Sequence, residues 1–252
     1  MFTEIPFLER FCAAAEAGFN GVEYLFPYEY PVEALAERLS RHRLENVLFN
    51  LPPGNWSVGE RGIACLPGRI AEFRAGVETA LGYATVLGVK RLHAMAGIAP
   101  AGANPLELRE TYAANLKYAA NAFVRHGITL VIEAINTRDI PGFYLTTQQR
   151  AWETLSEVNA PNLKMQMDCY HMQIMEGDLD IKLRKYAAHC GHVQVAGVPG
   201  RHEPDTGEVR YEYIFKLLDE IGYDGWVGCE YKPVGKTVDG LGWFHALCPR
   251  TS

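Results

Sequence analysis

Several common signposts of function are missing from this sequence. None of its six cysteines, Cys12, Cys65, Cys169, Cys190, Cys229 and Cys248, falls in a CxxC pair. That excludes the usual zinc-ribbon and thioredoxin-like motifs, and a chain of 252 residues is too large to need disulfide staples. Free thiols in a reducing compartment, the cytoplasm, are therefore expected. No apolar run approaches the roughly 18 residues of a membrane span, and no basic-then-apolar leader is visible, so no membrane partner is expected. Positive charge is not in excess: 24 Lys and Arg stand against 30 Asp and Glu, a net charge of −6. A non-specific nucleic-acid binder needs a cationic footprint, so nucleic acid is not an expected partner. There is no GxGxxG turn and no P-loop. No linker or low-complexity stretch divides the chain, which predicts one domain over residues 1–252.

What is present is a globular composition, 48% hydrophobic and 21% charged, with a recurring phrase. An amphipathic helix is followed by a glycine and then by a short apolar strand. Gly18, Gly88, Gly127 and Gly222 stand at that junction, where left-handed backbone just past a helix end suits a residue without Cβ. Before Gly222, Ile214, Leu217, Leu218 and Ile221 share one helical face. Short apolar runs give seven strands, at 22–26, 47–51, 89–95, 129–134, 163–168, 192–196 and 226–231. Helical patterns give eight helices, at about 5–17, 31–42, 69–87, 105–126, 147–158, 178–190, 211–221 and 240–247. Strict alternation predicts an α/β fold, a single-domain (β/α)8 TIM barrel. A doubly wound open sheet, which tolerates seven strands, is the structural alternative. The first helix starts almost at Met1, so a barrel of eight strands has its first strand missing or truncated at the N-terminus.

Four successive strands carry a ligand oxygen at or near their carboxyl ends: Glu133, Asp168, Gln194 and Glu230. Their separations of 35, 26 and 36 residues are each about one strand–helix unit. In a barrel these positions converge on the carboxyl-terminal mouth, where active sites are built. Polar groups at the ends of strands as apolar as Leu130-Val131-Ile132 need a partner. Three carboxylates in one place repel one another unless a cation sits between them. Three carboxylates and an amide make an all-oxygen set that suits Mg²⁺ or Mn²⁺ better than Zn²⁺. The bland alternative, four unrelated surface or capping residues, has to explain their recurrence on consecutive strands.

The segments 133–142 (EAINTRDIPG), 166–171 (QMDCYH), 192–196 (HVQVA), 199–204 (PGRHEP) and 228–233 (GCEYKP), with 49–50 (FN) and 66–69 (LPGR), resemble hydroxypyruvate isomerases, a group within the xylose-isomerase-like barrels. The resemblance runs nearly end to end, with the motifs in order and at strand ends. It implies that Glu133, Asp168, Gln194 and Glu230 match the metal-binding positions, and that Glu133 and Glu230 also match the acid–base pair. Related sugar isomerases and epimerases usually place a histidine where Gln194 stands, so the amide implies the hydroxypyruvate-type branch. The resemblance also implies a strand of roughly ten residues ahead of Met1.

The expected reaction is a metal-dependent interconversion of hydroxypyruvate and tartronate semialdehyde through an enediolate. The partner is a small 2-oxo or hydroxy acid. Glu133 and Glu230 move the proton, and a Mg²⁺ or Mn²⁺ ion acts as Lewis acid. His171, placed in the loop three residues past Asp168, is expected to donate to a substrate oxygen. Arg201, on the loop after Gln194, is expected to grip the substrate carboxylate, with His202 as a second member of that loop. His93 and Asn50 read as satisfied core polar groups. The pair His189 and His192 is assigned to the opposite face of the barrel and discounted. Leu25, Phe26, Pro27 and Tyr28 either close a homo-oligomer contact or cover the pocket. A 2-oxo-tetronate or other sugar-acid isomerase or epimerase would share the same metal and glutamates. An endonuclease-like metal hydrolase would need more histidines and a basic face, and a non-catalytic barrel would have lost a ligand position.

Overall fold

The computed structural model describes residues 1–247, so Cys248 lies outside the described residues. Seven strands form one sheet in sequence order: β1 (Gly21–Tyr24), β2 (Glu45–Asn50), β3 (Arg91–His93), β4 (Thr129–Glu133), β5 (Leu163–Asp168), β6 (Cys190–Val195) and β7 (Val227–Cys229). Every neighbouring pair is parallel. Parallel neighbours need a crossover, and helices supply it. These are α1 (Arg10–Glu16), α2 (Val32–His42), α3 (Ile70–Leu87), α4 (Pro105–Val124), α5 (Gln148–Val158), α6 (Cys169–Met175), α7 (Leu179–Tyr186), α8 (Tyr211–Glu220) and α9 (Gly242–Leu247). Among the described residues β7 and β1 do not pair. The result is a nearly closed barrel, with seven strands as the apolar runs predict.

Local chemistry sets the element ends. Pro105 opens α4 where its missing N–H costs nothing, and the Asn104 side chain accepts from Leu106 N at 3.0 Å. Thr147 caps α5 by accepting from Arg150 N. All four junction glycines have positive φ, between 64° and 98°, as the helix-end reading requires. On α8, Ile214, Leu217 and Leu218 are buried, each stabilising the fold by at most about 1.5–3 kcal/mol.

Strand alternation divides the molecule into two layers. Leu130 and Ile132 of β4 face outward against Leu116, Ala119, Ala120 and Phe123 of α4, within the main core. On the other face Val131 packs inside the ring with Val47, Leu48 and Trp226. Two residues further along β4 the same inward face presents Glu133. The barrel floor is therefore apolar and its mouth polar. Two differences from expectation bear on function. A helix, α6, begins directly after Asp168, where a loop was expected. Strand β7 ends at Cys229, which puts Glu230 one residue beyond it. No helix among the described residues is long and apolar enough to cross a membrane.

Leu130→Ala removes a fully buried side chain from the strand that carries Glu133. It is expected to cost about 2–5 kcal/mol, read as a lower urea midpoint with an unchanged slope. A loss under about 0.5 kcal/mol, the size of an ordinary surface change, would contradict this packing.

Candidate active site

Glu133 and Asp168 end adjacent strands, and both are buried. Asp168 does two things at once. Its Oδ1 accepts from Tyr170 N at 2.7 Å, capping α6, so the chain turns from strand straight into helix and brings His171 over the mouth. Its Oδ2 is left buried without a hydrogen-bond partner, and so is Oε1 of Glu133. His171 Nε2 stands 3.6 Å from Asp168 Oδ2 and 3.9 Å from Glu133 Oε1. Ligand-type atoms of these three residues all lie within 4.8 Å of one another.

The protonation of His171 follows from its other side. Asn136 Oδ1 accepts from Asp139 N at 2.7 Å, which turns the Asn136 Nδ2 toward His171 Nδ1 at 2.6 Å. The Asn136 backbone N–H also donates to Nδ1, at 3.3 Å. Nδ1 is thus an acceptor and the ring proton sits on Nε2. Burial, aided by the Arg201 charge, holds the ring well below the ordinary histidine range. His171 is a neutral N–H donor aimed at the carboxylates, and a metal ligand only if it gives up that tautomer.

Glu230 joins through Arg201. The guanidinium lies 3.2 Å from Glu230 Oε2, 3.4 Å from Asp139 Oδ2, 3.4 Å from His171 Nε2 and 3.9 Å from Asp168 Oδ2. It also covers the Tyr170 ring, 5.0 Å from the centroid. Arg201 therefore neighbours three carboxylates without the short bidentate geometry of a committed pair. His202, its neighbour, does not join the cluster. Its Nδ1 faces the Lys232 carbonyl at 2.8 Å, which turns the ring away, and the cleft wall includes Arg201 and Lys232 but not His202.

The electrostatics follow from confinement. Burial pushes Glu133 well above the usual carboxylate range, with Glu230 and Asp168 adding to it. Asp168 is pushed up to about 7, by burial and then Glu230, against the pull of Arg201. Glu230 is raised by burial too, with Arg201 opposing and Glu23 adding. The orphaned oxygens, the shared burial and the raised carboxyls are what a cation between them would relieve. On that test the residues fit a divalent ion.

A second polar group sits beside the first, and most of its members carry no strand-end signal in the sequence. Gln194 Oε1 accepts from Gln166 Nε2 at 2.6 Å, and Gln194 Nε2 donates to Glu23 Oε1 at 2.7 Å. Glu23 Oε2 meets His192 Nε2 at 2.6 Å. His192 thus points into the barrel rather than belonging to the opposite face, because it lies two residues from Gln194 on one strand. That same period of two would have found Gln166, two before Asp168, and Glu23 is a lone carboxylate in an otherwise apolar strand. His93 and Asn50, expected as satisfied core groups, both line the cleft. His93 Nδ1 lies 3.3 Å from Asn50 Oδ1 and 3.9 Å from Glu133 Oε2, its Nε2 has no partner, and burial lowers the ring to about 3. A cleft of about 1380 Å³ takes in both polar groups and runs down the β1–β7 side past Val47 and Trp226. Phe26 packs edge-on against Trp56, and both line this cleft.

A family model described as xylose isomerase-like TIM barrel matches residues 11–247. The 2-oxo-tetronate isomerase of Cupriavidus necator is 53% identical over 99% of this chain and 96% of its own. The hydroxypyruvate isomerase of Escherichia coli is 49% identical over 96% and 94%. A crystal structure of a family 2 AP endonuclease from Brucella melitensis superposes with a TM-score of 0.96 at 50% identity, over 98% of this chain and 95% of that one.

The raised Asp168 carboxyl has a consequence for stability. Its ordinary value is 3.8 and its folded value about 7, so between them the folded chain binds more protons than the unfolded one. The group's contribution is fully present below about pH 4 and is lost as pH rises through about 7. In chelator-treated protein, the fall in Tm from pH 5 to pH 8 is expected to be steeper in the wild type than in Asp168→Asn. Mn²⁺ added at pH 8 should restore the wild type. Parallel Tm profiles in the two proteins would contradict the assignment.

Proposed function

Because this chain belongs to the xylose isomerase-like TIM-barrel family, we propose that it isomerises a small 2-oxo acid, hydroxypyruvate to tartronate semialdehyde in the first instance. The observation that carries the reading is the convergence of Glu133, Asp168 and Glu230 around Arg201 and His171 at the barrel mouth. Relatives 49% and 53% identical over nearly the whole chain carry isomerase names. Against a nuclease reading, which the Brucella relative's name raises, stand the net charge of −6 and a carboxylate-rich mouth, which repel a phosphate backbone.

The reaction moves one proton from C3 to C2 while the carbonyl passes from C2 to C3. Glu133 and Glu230 are the proposed acid–base pair. They stand on β4 and just past β7, so they approach a substrate in the mouth from different sides. Burial raises both carboxyls, the direction that suits a group that must hold a proton and return it. Glu133, Asp168, Gln194 and Glu230 would hold a divalent ion, Mg²⁺ or Mn²⁺ on this donor set, which supplies a Lewis acid for the substrate oxygens when bound. His171 Nε2–H donates to one of those oxygens. Arg201, loosely shared among carboxylates, turns its fork to the substrate carboxylate.

The names of the relatives support a second substrate of the same class, a 2-oxo-tetronate, and one assay covers both. Solvent deuterium incorporation into each acid is followed with and without added Mg²⁺ or Mn²⁺. Metal-dependent exchange in the wild type, abolished in Glu230→Gln, is the expected result; no exchange with either acid in metal-loaded protein would sink the proposal. Arg201→Lys keeps the charge and loses the fork. It is expected to lower kcat/KM about ten- to a hundredfold, chiefly through KM. An unchanged KM would remove Arg201 from carboxylate binding.

A further inference from the structure

The relay running from β5 through β6 to β1 carries an inference about Glu23, which no part of the reaction uses. A glutamine amide is nearly symmetric in shape, and only its hydrogen bonds decide which end points where. Gln194 is caught between two neighbours of opposite demand. Glu23 Oε1 receives Nε2 at 2.7 Å, and Gln166 Nε2 approaches Oε1 at 2.6 Å. A carboxylate only accepts, so Glu23 sets the polarity of the relay. It turns the amide N–H toward β1 and the amide oxygen toward Gln166, which pairs with Glu133 in the β4–β5 register. Asp168 is the β5 residue that pairs with Gln194 itself. A cation among these groups needs the oxygen of Gln194; the opposite rotamer would present an NH2 group to it.

Two further observations show that the place of Glu23 is built. Its second oxygen is held by His192 Nε2 at 2.6 Å, from the same inward face of β6 as Gln194. The room for its carboxylate comes from Gly228 on β7, where a Cβ would collide with Oε1, Oε2 and the carboxyl carbon. The backbone of β7 pairs Gly228 directly with Gln194, so the glycine lies beside the residue that Glu23 orients.

We propose that Glu23 is a positioning residue that fixes the Gln194 amide with its nitrogen held on β1 and its oxygen on the Gln166 side, and that Gly228 is required to seat it. The role rests on the metal reading above and extends it to two cleft residues outside the proposed ligand set.

The test reads Mn²⁺ affinity, by calorimetry and by the EPR signal of free Mn²⁺, on full-length variants whose folding is checked by circular dichroism. Glu23→Gln keeps the size of the side chain and lets either amide end face Gln194. Gly228→Ala keeps every hydrogen-bonding group and displaces the carboxylate. Each is expected to weaken Mn²⁺ binding about 10- to 100-fold, the usual effect of losing a group that orients a ligand. In a Gln194→Glu background, where both ends of the side chain are oxygens, Glu23→Gln should cost nothing further. That loss of effect separates orientation from general damage. Folded Glu23→Gln, or folded Gly228→Ala, binding Mn²⁺ within twofold of wild type would overturn the proposal and leave the metal reading intact. Wild type that takes up no Mn²⁺ would overturn both.

Discussion

Four carboxylates, Glu23, Glu133, Asp168 and Glu230, face one another inside a ring whose floor is apolar, and the rest of the structure is arranged around that constraint. Ionised carboxylates in such a setting cost several kcal/mol each unless they find positive charge or donors. The chain meets the need unevenly. Glu23 has two short partners, so His192 and the Gln194 amide hold it below the usual range even against burial. Glu133 and Asp168 each keep a buried oxygen with no partner, and Arg201 is divided among three acids. Glu23 is settled, Glu230 leans on Arg201, and Glu133 and Asp168 are left in demand of a cation. That asymmetry is the difference between a structural polar network and a reactive one.

The fold supplies the asymmetry with few devices. A period of two along each parallel strand turns alternate side chains into the ring, and along that inward face the apolar ones come first, at the floor, and the polar ones last, at the mouth. The turn from β5 directly into α6 lets one aspartate cap a helix and still present a free oxygen, and it swings His171 over the same point. Asn136 then sets the tautomer from the next loop. Each device is local, within three residues of a strand end, yet together they bring four strands' worth of chemistry to one place.

Much of this was legible in the chain. Helix–glycine–strand alternation pointed to the barrel and its seven strands, and residues at strand ends pointed to Glu133, Asp168 and Glu230, because an acid after an apolar run has a physical reason to be noticed. What escaped was set by contacts distant in sequence. Glu23 and His192 are 169 residues apart, and nothing in either local pattern shows that they meet across the ring. Helix α6 escaped because its seven residues begin inside a strand-end motif, too short for a period to declare itself. His202 looked like part of the site from its neighbour, but adjacent residues on a tight loop point in different directions, and the carbonyl of Lys232 decided which.

Arg201 shows how closely that loop is specified. It is a non-glycine residue with φ of 57°, a conformation that costs of order 1–3 kcal/mol and persists only where its surroundings enforce it. They do: its N–H donates to Gly197 O at 2.7 Å, and its carbonyl accepts from Lys232 N at 2.7 Å. Gly197 and Gly207 press so close to neighbouring backbone that a Cβ at either would clash. The loop is fastened on one side to β6 and on the other to the segment after Glu230. That fastening holds the Arg201 backbone between two elements that each deliver a side chain to the mouth. The exposed Arg43 adopts the same conformation at a helix end, so what distinguishes Arg201 is the backbone fastening on both sides together with the charges it touches.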